Sequence, residues 1–335
     1  MNTTTLSLRP KMFSSQASLQ DFMASDSATI VLRGGLIIVL AISLAISTTT
    51  FGTSANLLNV LRQASLMFLL ASGLTLVIIS GGFDLSIGAN LTLSACLAAG
   101  VMKSGAPPIL AIAAAIGTGT IVGVLNGLAV TALRLPPFLA TYGMLWILQG
   151  LAFRYMGGNE IYGFPTSFRA LGTGFMVGVP IPVYIMGAVL VVGSLFMKKS
   201  NFGHELYAIG ANTDVAILSG IPVRKRRISV YVISGLMSGL AALVYLARVN
   251  AADSGMGEQL LLPVIAAILI GGTSLFGGSG SLLGTLFGSL ILALVINGMN
   301  LLNINATWQP LVVGAVLLAA VLVGIIGRNG NERIG

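Results

Sequence analysis

The side chains able to do covalent, redox or proton chemistry are few and scattered. Among 335 residues there are nine Asp and Glu, one histidine and one cysteine. The acids are Asp21, Asp26, Asp84, Glu160, Glu205, Asp214, Asp253, Glu258 and Glu332. None stands clearly at the centre of an apolar run, where ion-coupled carriers and proton relays place their carboxylates, which weakens a proton-driven mechanism. His204 has only Glu205 beside it, so no His/Cys/carboxylate cluster offers a metal site. Lys103 and Lys199 each precede a serine, but neither follows the glycine of a G-x-x-x-x-G-K-[S/T] loop, and ATP has no site on this chain. Cys96, alone in an apolar run, excludes an internal disulfide framework. No catalytic constellation is present, and an ion-coupled secondary transporter, the alternative reading, would need an ion site and should work without any ATPase.

The longest polar stretch has more pattern. "NFGHELYAIGANTDVAILSGIPVRKRR", from Asn201 to Arg227, is too long and too basic for a plain connector. Gly210 and Ala211 mark a turn; Asn212, Thr213 and Asp214 are types that cap a helix start; Val215 to Leu218 are apolar; Gly220 and Pro222 stop the run. One helix of two or three turns is not stable alone in water. Val215, Ile217 and Leu218 therefore need either this protein's own inner surface or a partner's groove.

The rest of the chain must hold that stretch in place, and its composition decides the solvent. Hydrophobic residues make up 56%, charged residues 8%, and mean hydropathy is +0.97, whereas a soluble domain carries about a quarter charged residues. This composition belongs to an all-α, multi-pass bilayer protein. Ten apolar segments approach the roughly 17 to 25 residues that cross a hydrocarbon core. They are 34–50, 57–80, 85–102, 108–133, 137–155, 180–197, 228–247, 261–276, 281–300 and 308–326. The eighth is the shortest and runs into "GGTSLFGGSG", which leaves two readings, a full span or a broken, re-entrant helix. Residues 1–30 read as a cytoplasmic tail that is not cleaved, and 31–335 as one transmembrane domain. The 43 glycines lie mostly within apolar runs, where they let helices approach closely.

An even number of crossings puts both termini on one side. With them inside, twelve of the 17 Lys and Arg are cytoplasmic, including Lys198, Lys199 and Arg224 to Arg227, while Arg62, Lys103, Arg154, Arg169 and Arg248 lie outside. That bias accounts for the net charge of +8 without any nucleic acid. It also places the polar stretch, within a segment 198–227, in the cytoplasm.

The run "GHELYAIGANTDVAILSGIPVRKRRISVYVISGLMSGLAALV" resembles the cytoplasmic coupling region of the ribose-type permease subunits of ABC importers, with its Y-A-x-G-x-N, S-G-I and Y-x-x-S-G-L elements. "VIISGGFDLSIGANLTLSA" is similar to that family's G-G-I-D-L-S-V-G stretch, and "IAAILIGGTSLFGGSGSLLGTLFGSLILALVINGMNLL" to its A-A-V-V-x-G-G-T-S-L-x-G-G block. The resemblance runs from Asn56 to Val323. It implies a ten-helix subunit in the bacterial cytoplasmic (inner) membrane, paired with a second permease subunit. It further implies an ABC ATPase inside, which uses the ATP and Mg, a periplasmic or extracellular substrate-binding protein outside, and a monosaccharide or similar small polar solute as cargo. This chain itself would bind no cofactor. The coupling helix maps onto Asn212 to Ile221, with Asn212, Asp214, Val215, Ile217, Leu218 and Gly220 as its ATPase-coupling residues. Two departures stand out: "LLPVI", with Leu261 and Pro263, replaces an E-L-D-A-I run, and Phe83 replaces an isoleucine.

Single residues carry two readings each. Asp84 either caps the third span with Ser86 nearby, since an anion suits a helix N-terminus, or takes part in gating. Asn90, Asn126, Asn297, Tyr142 and Trp146 either line a substrate pathway or do structural work, asparagine by bonding neighbouring helices and the aromatics by marking the bilayer edge.

Overall fold

A computed structural model describes residues 26–332 and the side chains of 31–322. Positions 1–25 of the expected tail, with Arg9 and Lys11, lie outside the described residues, as does Arg333. The helices are α1 (Asp26–Ser47), α2 (Ser54–Ile79), α3 (Ile87–Lys103), α4 (Pro108–Thr131), α5 (Pro137–Met156), α6 (Thr166–Thr173), α7 (Ile181–Lys199), α8 (Asn201–Ala211), α9 (Thr213–Leu218), α10 (Val223–Val249), α11 (Leu261–Ile270), α12 (Leu282–Leu301) and α13 (Gln309–Glu332). Each of the ten apolar segments coincides with one of them. Among the described residues, α2, α4, α7, α10 and α12 are long and apolar enough, by length and composition, to cross a membrane. The eighth segment is helical only over the ten residues of α11, a rise of about 15 Å against a hydrocarbon core of about 30 Å.

Local chemistry sets the helix ends. α4 and α5 open on proline and α7 carries one, Pro182, at its second position; the missing N–H costs nothing in the first turn and the φ is already helical. Thr53, Ser200, Asn212 and Ser281 accept backbone N–H bonds at the starts of α2, α8, α9 and α12.

α2 is the central post: Ala64 to Ile79 is buried without interruption. α4 and α10 run antiparallel with their backbones in contact. A Cβ on Gly119 would lie 2.3 Å from the Gly235 oxygen, one on Gly123 2.3 Å from the Tyr231 oxygen, and one on Gly127 3.0 Å from the Ile228 Cα. The four-residue spacing of these glycines is what brings two membrane helices this close.

The two ends differ. At one end α6 packs on the last turn of α10, with Gly172 against the Arg248 backbone. Two short antiparallel pairings finish that face: β1 (Ile161–Tyr162) with β4 (Ala251–Ala252), and β2 (Phe175–Met176) with β3 (Val179–Pro180). Arg62 joins them, donating to the Thr173 carbonyl and stacking 4.5 Å from the Phe175 ring centroid. At the opposite end of α10, the polar stretch forms two helices rather than one. Gly210 and Ala211, expected in a turn, continue α8, and the chain turns at Asn212 instead, because an extended Asn212 backbone ends α8 and its side chain starts α9.

Candidate functional site

α9 is a six-residue helix held rigidly at both ends. The Asn212 Oδ1 accepts from the N–H groups of Asp214 at 3.0 Å and Val215 at 3.1 Å, and Asp214 puts its carboxylate in the first turn, where the helix dipole favours an anion. Gly220, at φ of 79°, ends the helix in a conformation that a side chain resists. The helix buries Ala216 and exposes Val215, Ile217 and Leu218, the last to 87%. The chain's own surface takes in Ala216 and leaves Val215, Ile217 and Leu218 more than half exposed.

The base under α9 is tied to α10. Arg227 donates to the Thr213 hydroxyl at 2.9 Å. Arg226 forms a two-point ion pair with Glu205 of α8 and lies over the Phe202 ring. The hydrogen bond from Arg226 holds the Glu205 carboxyl below its ordinary range.

The stretches quoted above meet at one backbone junction. The Gly278 N–H donates to the Ile79 carbonyl at 2.9 Å, and Gly210 presses on both: a Cβ there would fall 1.9 Å from the Ile79 oxygen and 2.4 Å from the Gly278 nitrogen. Gly81 and Gly277 close the junction, at φ of 75° and 86°, and a Cβ on Gly277 would sit 3.0 Å from the Gly81 Cα. The Tyr207 hydroxyl adds a 2.8 Å bond to the Gly280 carbonyl. The end of α2, the end of α8 and the glycine loop after α11 thus touch main chain to main chain.

Asp84 lies beside this junction and is buried. The N-cap of α3 is Ser86, which makes no side-chain cap bond; Asp84 instead accepts from the Ser86 N–H at 3.0 Å and hydroxyl at 2.7 Å, tightening the turn ahead of the helix. It also accepts from Ser234 of α10 at 3.1 Å and Asn126 of α4 at 3.4 Å. These partners are hydroxyls and amides that satisfy a buried carboxylate. Tyr231, three residues from Ser234 and so on the same face of α10, donates to the Phe83 carbonyl at 3.1 Å, and Thr141 of α5 donates to the same oxygen at 3.3 Å. Tyr231, Ser234 and Thr141 carry no assigned role in the sequence reading, although the spacing inside "YVISGL" is the signal that would find the first two.

The five pathway candidates do not gather in one place. Asn126 also donates to the Ser86 hydroxyl at 2.7 Å. Asn90 donates to the Gly119 carbonyl of α4 at 3.2 Å. Asn297 of α12 and Asn56 of α2 exchange two amide bonds, at 2.8 and 3.1 Å. All three candidate asparagines are buried between helices. Tyr142 and Trp146 lie elsewhere, on an open face of α5. They continue an aromatic row in which Phe83, Phe138, Tyr142 and Trp146 follow one another at centroid distances of 6.5, 6.1 and 6.3 Å.

A family model described as the branched-chain amino acid transport system permease component matches residues 56–321. The chain is 40% identical over 287 residues to the ribose import permease protein of Bacillus subtilis (strain 168), covering 85% of this chain and 89% of that one. It is 35% identical over 291 residues to the D-allose transport system permease protein of Escherichia coli (strain K12), covering 85% and 88%. It is 32% identical over 318 residues to the fructose import permease protein of Rhizobium meliloti, covering 91% and 87%. No solved structure matches the chain.

Proposed function

The chain belongs to the family of branched-chain amino acid transport system permease components, and on that footing we propose that it is the membrane-spanning subunit of an ATP-driven importer of a monosaccharide. The ribose, allose and fructose named for its relatives set the size and polarity of the cargo. The subunit is a transporter component, not an enzyme. In this reading it crosses the bacterial cytoplasmic membrane ten times with both termini inside, forms the pathway with a second permease subunit, and receives sugar from a binding protein outside. ATP and Mg are held by a partner ATPase.

The observation that carries the proposal is α9: a capped helix whose Val215, Ile217 and Leu218 are each more than half exposed on their own protein. Val215, Ile217 and Leu218 enter a groove of the ATPase, while Asn212, Asp214 and Gly220 fix the helix ends and so its angle. Closure of the ATPase displaces α9, and the main-chain junction passes the displacement to α2 and the glycine loop. Main chain has no rotamers to absorb such a shift. The aromatic row on α5 offers flat apolar faces to the C–H faces of a sugar moving past it.

The test is reconstitution in vesicles with the ATPase and the binding protein. Uptake of labelled pentoses and hexoses that needs both ATP and the ATPase supports the assignment. Uptake driven by an ion gradient after the ATPase is removed refutes it.

A further inference from the structure

The basic run at the foot of α10 divides in two. Arg226 pairs with Glu205, but Arg224, Lys225 and Arg227 join Arg134 in lining a cavity of about 850 Å³ between the end of α4, the turn into α5 and α9. No carboxylate among the described residues lines it. The rest of its wall is largely apolar, including Val130, Leu135 and Val223. Arg134 keeps a left-handed backbone at φ of 56°, uncommon for a long side chain, at the edge of this space. Arg227 also reaches the Thr213 hydroxyl through its Nη2. α10 opens on Pro222 without a side-chain cap, so its positive end faces the same region.

Four cations gathered without a counter-charge repel one another. An anion with several acceptor oxygens relieves that repulsion, and phosphate matches the guanidinium fork. Leu125, Leu128 and Leu139 on the neighbouring faces of α4 and α5 are exposed, which suits an acyl chain beside the charge. We propose that this cavity binds the phosphate of an anionic phospholipid, with Arg134, Arg224, Lys225 and Arg227 around the headgroup and the acyl chains along α4 and α5. This binding does not rest on the transport assignment.

The test measures binding of fluorescent phosphatidylglycerol to the purified full-length chain in detergent, with phosphatidylcholine and inorganic phosphate as competitors. The proposal expects Arg134→Gln with Arg227→Gln to weaken phosphatidylglycerol about tenfold or more. Arg224→Gln with Lys225→Gln, at exposed positions that the fold does not need, should weaken it in the same direction. Lys198→Gln with Lys199→Gln, cations at the same end but outside the cavity, should leave it unchanged. Equal weakening by all three pairs would mean general surface attraction and overturn the site. Displacement by inorganic phosphate as readily as by unlabelled lipid would make it a soluble-phosphate site and overturn the lipid assignment.

Discussion

Gly210→Ala is the most direct probe of the main-chain junction. The added Cβ would stand 1.9 Å from the Ile79 oxygen, where real contacts stay above 3.0 Å, so the junction must open by at least their difference of 1.1 Å. The Gly278 N–H to Ile79 carbonyl bond, 2.9 Å long, shares that contact and would be lost or severely stretched. Overpacking costs about 1 to 3 kcal/mol, and leaving a buried backbone pair unsatisfied about 1 to 3 more. Alanine returns about 1 kcal/mol as the better helix former at this position in α8. The net is a loss of about 1 to 5 kcal/mol, visible as a lower melting temperature. Gly143→Ala supplies the comparison, since nothing lies within 4 Å of a Cβ there and the same propensity gain stands alone. The assay is thermal melting of both variants, followed by binding-protein-stimulated ATP hydrolysis of the assembled complex. Gly210→Ala should melt lower and lose stimulation, with Gly143→Ala melting at or slightly above wild type and keeping its stimulation. If Gly210→Ala melts at or above Gly143→Ala, the junction is not a tight main-chain contact and the reasoning fails.

Leu218→Asp changes a side chain that is 87% exposed, so the chain alone should melt as before while co-purification of the ATPase falls, the charge opposing docking by on the order of a few kcal/mol. Retained co-purification would remove α9 from the contact. Tyr142→Ala and Trp146→Ala, on an open face, should leave melting nearly unchanged and lower sugar uptake. Asn297→Ala should lower the melting temperature, by about 1 kcal/mol of stability, because the partly buried Asn56 loses both amide bonds to it and keeps only its bond to the Phe51 carbonyl; the opposite pattern of effects would exchange the two assignments. Glu205 has a depressed pKa, so its pair with Arg226 stabilises the fold above its ordinary value of 4.5 and ceases to do so as pH falls through the lowered value. The melting difference between wild type and Glu205→Gln should therefore be present near about pH 7 and vanish in strong acid.

Where the solvent dictates structure, the sequence could be read directly. A bilayer satisfies no backbone group, so a long apolar segment has to be helical; nine of the ten are helical over most of their length, and the eighth is helical only over Leu261–Ile270. Caps are also local: Asn212 sits two and three residues from the N–H groups it accepts, and the start of α9 could be placed from residue types alone. Partners far apart in the chain were out of reach. Asn56 and Asn297 are 241 residues apart, and Asp84 and Ser234 are 150 apart; no periodicity predicts which buried polar groups will face one another. The basic run 224–227 read as uniform because its division depends on Glu205, which α8 delivers, and α8 itself was hidden by a Gly-Ala pair that reads as a turn. Glycine there signals close approach instead, a distinction that only the neighbouring chains reveal.

The enclosed position of α2 bears on how the chain is made. Its wrapping depends on α10 and α12, which leave the ribosome long after it, so for much of synthesis α2 stands without them. Its hydroxyl groups are fitted for that wait: Ser65, Ser72 and Thr75 bond carbonyls of their own helix, at Leu61, Leu69 and Ala71, and so carry no bare donors into hydrocarbon. Lipid tails are as apolar as the helices that later replace them. Of these three, the Thr75 hydroxyl later meets a partner hydroxyl across the bundle, that of Thr285 at 2.8 Å. α2 can therefore wait for α12 with these three hydroxyl donors already satisfied within its own helix.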